Sequence, residues 1–139
     1  MSDEDELDGA FAALVEAIRE EGRARCWTVP KWLAASRAIE RWERLAAVQG
    51  VWLEEDTPSA LHRHPEVQAR LLELLTDPDR PVATVAAYCF GEWRVPGAVP
   101  VLLDLVQGRE GRARLPLYLA LAGQRDPAAL ECLVRAAEA

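Results

Sequence analysis

Apart from tryptophan, aromatic residues are scarce in this 139-residue chain, which has two Phe and two Tyr. Lysine is scarcer still, with Lys31 alone against 15 arginines, and serine occurs only at 2, 36 and 59. The three cysteines, Cys26, Cys89 and Cys132, lie far apart in helical patterns, which argues against a disulfide framework and for reduced thiols. No CxxC pair or Cys/His cluster occurs, and His62 and His64, two positions apart, do not share a helix face. No metal site is expected. Long apolar runs are missing too: none approaches the ~20 residues that span a bilayer, and the opening MSDEDELDGA is acidic where a secretory signal is basic. The expectation is a cytoplasmic protein with no membrane partner.

Catalytic signatures are equally thin. There is no GxSxG elbow, and GREGR at 108–112 lacks both the flanking strand and the Lys-Ser/Thr of a phosphate loop. Acid pairs such as Glu40/Glu43 and Glu16/Glu20 sit among Arg37, Arg41, Arg44, Arg19 and Arg23, where ion pairing along a helix accounts for them. General acid–base work needs a desolvated carboxylate, and the pattern offers none. No catalytic residue and no cofactor are therefore expected, and the chain reads as a non-enzyme.

The net charge is −7 and unevenly placed: residues 1–60 hold 13 acids and 7 bases, residues 61–139 hold 10 and 9. Binding to a phosphate backbone needs clustered cations, so nucleic acid is disfavoured as a partner.

What is present is a period. Pro65, Pro96 and Pro127 are evenly spaced, each at the start of an apolar helical stripe, a position where proline sacrifices no hydrogen bond. After Pro96 come Ala98, Val99, Leu102, Leu103 and Val106; one period on stand Ala129, Leu130, Leu133, Val134 and Ala137. One period back stand Val67, Gln68, Leu71, Leu72 and Leu75, with Gln68 the polar misfit. The preceding helix repeats as well, Ala86 to Gly91 falling opposite Leu117 to Ala122. Being apolar all round, this inner helix is expected to be sandwiched between neighbours.

Ala86-Ala87-Tyr88-Cys89-Phe90-Gly91, then Glu92-Trp93-Arg94-Val95-Pro96 and Gly97-Ala98-Val99-Pro100, resembles the short HEAT-like repeat, in the subtype first named for phycobilisome lyases. Val95 stands where that pattern has Asp; the next unit keeps Asp126-Pro127 but has Ala122 where Gly is usual. The resemblance covers about 2.5 repeats over residues 65–137 and implies an all-α fold, a right-handed α-α superhelix or HEAT-like solenoid, with two N-terminal capping helices. Its expected helices are 65–75, 79–92, 97–107, 111–123 and 127–137. Pro116 would break the fourth, so that helix is expected to start late, with Leu115-Pro116 in its first turn. Arg109, Arg112 and Arg114 just before it read as a solvated basic loop, the other reading being contact with an anion or acidic peptide.

Before the repeats, Asp3, Glu4, Asp5, Glu6 and Asp8 open a helix whose stripe is Leu7, Phe11, Leu14, Val15 and Ile18, ending near Gly22. A second helix, capped by Thr28, is expected from Pro30 to Gln49 with Trp32, Ala35, Ile39, Trp42 and Ala46 on one face, and Gly50 ending it. The period fails at 55–60, which is polar and contains Pro58; a loop with one short turn is expected there. Trp27, Trp32, Trp42 and Trp52 crowd into this one region. They either fill the seam beside the first repeat or, in part, anchor a partner, as tryptophan does at interface hot spots. Glu54, Glu55 and Asp56 read as a solvated acidic corner and join them as candidate partner-binding residues.

The expected function is that of a protein-binding adaptor or regulatory subunit. One alternative is a small acidic immunity-type inhibitor of a basic protein; another, implied by the resemblance alone, is a bilin-lyase-like chromophore handler. The chain is expected to be a single domain, 1–60 completing the core of 61–139, because a solenoid needs about three stacked units to bury a continuous core. Fragment 61–139 should therefore lack a cooperative thermal transition by circular dichroism; a sharp one would refute this division of labour.

Overall fold

Helices account for every regular element of the computed structural model, which describes residues 3–138 and contains no strand among them. They are α1 (Asp3–Arg25), α2 (Val29–Ser36), α3 (Arg41–Trp52), α4 (Pro65–Leu74), α5 (Arg80–Glu92), α6 (Ala98–Gln107), α7 (Leu115–Gln124) and α8 (Pro127–Glu138). Two 3₁₀ turns, Leu61–Arg63 and Gly111–Arg114, precede α4 and α7. Local chemistry explains the starts. Proline occupies the first turn of α2, α4, α5 and α7, Thr28 accepts a hydrogen bond from the Lys31 amide, and Asp79 accepts one from the Val82 amide. The late start of α7, forced by Pro116, is as expected. Helix α6 is entered through Gly97 at φ +80°, a left-handed conformation that favours glycine.

The second helix differs from its expected span. It breaks after Ser36 and resumes at Arg41, leaving Ile39 96% exposed. The Arg44 side chain holds the break: its guanidinium donates to the carbonyls of Ala38 and Ile39 at 3.0 and 2.8 Å, and to both carboxylate oxygens of Asp77 at 2.9 and 3.1 Å. Folded back on each other, α2 and α3 make a hairpin of their own. Trp32 wedges it, fully buried, with its indole N–H on the Ala47 carbonyl at 2.8 Å. Helix α3 also runs past Gly50 to Trp52. Gly50 serves a different purpose, since a Cβ there would stand 2.9 Å from the indole nitrogen of Trp27.

The failure of the period at 55–60 has a simple cause. Buried Ala47, Val48 and Val51 of α3 hold the places that Ala86, Ala87 and Phe90 hold in α5, but they stand more than one period before them. The surplus falls in the link before Pro65. The unit looked for at 55–60 is the α2–α3 hairpin.

Helices α3, α5 and α7 stack side by side as the inner layer, with α2, α4, α6 and α8 outside, an α-solenoid. Small residues set the spacing. Ala47, Ala86, Ala87 and Ala120 are buried between the inner helices, Cys89 lies against the Val48 carbonyl, and Leu71, Leu74, Leu102 and Ala129 seal the layer from outside. At the α5–α7 crossing the backbones meet. A methyl on Gly123 would overlap the carbonyl oxygens of Phe90 and Gly91. The adjacent Gln124, itself buried, donates to the carbonyls of Phe90 (2.6 Å) and Trp93 (3.0 Å) and accepts from the Val95 amide (2.9 Å). Helix α1 stands apart, with no buried residue; Arg19 reaches the Leu53 carbonyl and Arg25 reaches Glu43.

The inner helices are not enclosed on all sides as their composition suggested. Leu115 and Leu119 of α7 are each 57% exposed, and one face of the layer is open. Gly123→Ala should destabilise the protein by about 1 to 3 kcal/mol in urea unfolding, since the added methyl must displace backbone. An unchanged midpoint would contradict the close crossing.

Candidate partner-binding surface

The four N-terminal tryptophans do not form one cluster. Trp27 is half-buried over Gly50 with the Arg25 guanidinium 5.4 Å from its ring centroid, and Trp32 is core. Trp42 is 65% exposed beside the break, its ring covered on one side by Arg41 at 4.5 Å. Trp52, at the end of α3, turns to the open inner face and meets Tyr88 of α5, ring centroids 5.2 Å apart and planes tilted by 40°.

The acidic triplet divides in the same way. Glu54 is largely buried: its carboxylate accepts from the Leu61 and His62 amides at 2.9 and 2.7 Å and contacts His62 Nδ1 at 2.7 Å. Asp56, half-exposed, pairs with Arg63 at 2.8 Å and with His62 Nε2 at 3.2 Å. The imidazole between them stacks on Trp93, 3.8 Å centroid to centroid and 6° from parallel. Glu55 points to solvent. The corner read as solvated is thus in part a clamp that folds the long link onto the array. It is why the added length does not loosen the link.

A surface not singled out from sequence is the groove along the inner layer, about 700 Å³, lined by Trp52, Tyr88, Leu119, Glu92, Arg94 and Arg125 among others. Tyr88 and Leu119 are one period apart, so successive helices present them at the same repeat position; Trp52 extends the row. That equivalence was visible in the aligned repeats, but the assumption of enclosed inner helices hid its meaning. Among the described residues, Glu92, Arg94 and Arg125 have no ion-pair partner. Arg125 also closes α7 at φ +52°, a left-handed conformation usually left to Gly or Asn.

Residues 67–139 match the family model of the HEAT repeats. The chain belongs to the HEAT repeat family. The match begins inside α4, runs through α8, and supports the HEAT repeat at large without reaching the lyase subtype. No curated protein and no solved structure matches the chain. The α2–α3 hairpin lies outside the matched HEAT repeats yet packs on α5 as α5 packs on α7.

Within these HEAT repeats Cys89 is a buried thiol. Desolvation, then the nearby Glu54 charge, pushes the Cys89 thiol well above its ordinary value, which disfavours the thiolate. Among the described residues no group of three His, Cys, Asp or Glu side chains is placed to hold a metal ion, and no helix is long and apolar enough to cross a membrane. Glu54→Ala, which strands two amides and an imidazole, should cost about 2 to 3 kcal/mol in urea unfolding, and Glu55→Ala less than about 0.5 kcal/mol. Equal effects would contradict the clamp.

Proposed function

We propose that the protein is an interaction module, an adaptor or regulatory subunit, that holds a partner protein in the inner groove. The observation that carries this reading is the row Trp52, Tyr88 and Leu119, apolar and open, bordered by unpaired Arg94 and Arg125. Aromatic anchors ringed by polar groups are the composition of interface hot spots, and stacked repeats present such rows as continuous surfaces. Arg125 supports it from a second direction. A residue with a Cβ meets a conformational penalty at that φ that glycine would avoid, so a use for the side chain is implied.

A second reading places a contact on α1. Its acidic first turn lies beside Leu7, Phe11 and Leu14, 70, 60 and 57% exposed. That combination suits a basic partner with an apolar patch, as an acidic inhibitor would need. Steered association of this kind slows steeply with added salt.

The two readings separate in one affinity-capture experiment with wild type, Leu119→Glu and Leu7→Glu/Phe11→Glu, each site being exposed so that folding is spared. Under the groove reading Leu119→Glu loses the captured partner about tenfold or more and the α1 variant retains it. Retention by Leu119→Glu with loss by the α1 variant would overturn the groove in favour of α1.

A further inference from the structure

At the opposite ends of the same inner helices lies a smaller cleft, about 370 Å³, with a different character. Asp77, Arg80, Thr84, Arg109, Arg112 and Pro116 are among its walls. Arg80 is the first residue of α5, Arg109 follows α6, and Arg112 belongs to the 3₁₀ turn before α7. Two segments distant in sequence, the start of α5 and the loop between α6 and α7, thus bring three arginines to one cleft.

Carboxylates do not answer them. Asp77 is engaged by Arg44 through both oxygens, and neighbouring Asp79 by Arg41 at 2.6 Å while it caps α5. The Arg41 guanidinium, and after it the Val82 amide, hold the Asp79 carboxyl below its ordinary range. Among the described residues Arg80, Arg109 and Arg112 have no ion-pair partner, and Glu110, though in the same loop, does not line the cleft. The Arg114 side chain, which the sequence grouped with this loop, donates to the Arg109 carbonyl and steadies it. In a chain of net charge −7, the cleft is a local excess of cation. Helix α7 also begins here, so the positive end of its dipole adds to the field, whereas that of α5 is met by Asp79.

We propose that this cleft binds a phosphate monoester. Each guanidinium is a planar fork of donors suited to two oxygens at once. A carboxylate has two oxygens and one charge, which occupy at most two forks. A phosphate monoester offers three terminal oxygens and a charge of about −1.5 to −2 at neutral pH, matching three arginines in both number and sign. A phosphorylated side chain of a partner protein and a free small phosphate share this chemistry.

The test is calorimetric titration of the full chain, in low-salt buffer free of phosphate, with three probes. These are phenyl phosphate, a short peptide bearing one phosphoserine, and the same peptide with aspartate in its place. Saturable binding of a phosphate probe to wild type is expected, weakened about tenfold or more in Arg80→Gln/Arg112→Gln and unchanged in Arg37→Gln, an exposed arginine elsewhere. Arg109→Lys, which keeps the charge and removes the fork, should fall between. Unaltered melting temperatures would show that the variants fold. A phosphopeptide binding more tightly than phenyl phosphate assigns the source to a protein, and equal binding assigns it to a small phosphate. Absence of saturable binding by both phosphates overturns the proposal, as do equal losses in Arg37→Gln or an aspartate peptide binding as tightly as its phosphorylated form.

Discussion

The constraint on which this structure turns is backbone contact between α5 and α7. Helices that carry side chains at their crossing stay apart; here Gly123 sits on the carbonyls of Phe90 and Gly91 with no room for a Cβ. Close approach puts buried peptide carbonyls at risk of losing their partners, a penalty of about 1 to 3 kcal/mol each when unrelieved. Gln124 removes it by joining its carboxamide to Phe90, Trp93 and Val95. The next residue, Arg125, must then turn in the left-handed region to release the chain into α8. Spacing, polar satisfaction and the angle at which the groove residues emerge therefore come from three consecutive positions.

Charge is arranged with the same local completeness. The first 60 residues carry an acidic surplus, yet several of their acids are paired in place: Glu16 with Arg23, Glu21 and Glu43 with Arg25, and Asp56 with Arg63, while Glu54 accepts from the Leu61 and His62 amides. Exposed pairs of this kind contribute little to stability, typically about 0 to 1 kcal/mol. Their effect is to concentrate the unanswered charge in a few places. Those places are the groove margin, the cleft before α7, and the solvent-facing acids.

Much of the solenoid was legible because its signals are local and repeated. Proline at helix starts and leucines at three- and four-residue spacing need no tertiary information, and α4 to α8 fall close to their expected limits. The α2–α3 break was illegible because the stripe Trp32, Ala35, Ile39, Trp42, Ala46 is a valid helical face. Only Arg44, reaching to an Asp77 remote in sequence, shows that the chain turns there. Glu54 was misread for a related reason: an acid in a polar loop looks solvated until its amide and imidazole partners are known to be beside it. Tyr88 and Leu119 were in view as repeat equivalents, but composition does not distinguish an apolar residue facing a neighbour from one facing an empty groove.

Helix α1 touches the rest through polar and half-buried contacts, and it places no side chain in the interior. Hydrophobic burial, the main cooperative force in folding, therefore does not bind its motion to that of the array. Its amides should exchange with solvent on a different clock from those of α5 or α7. Slower exchange in α5 and α7 than in α1 would mark the array as the cooperative unit and α1 as an appended helix.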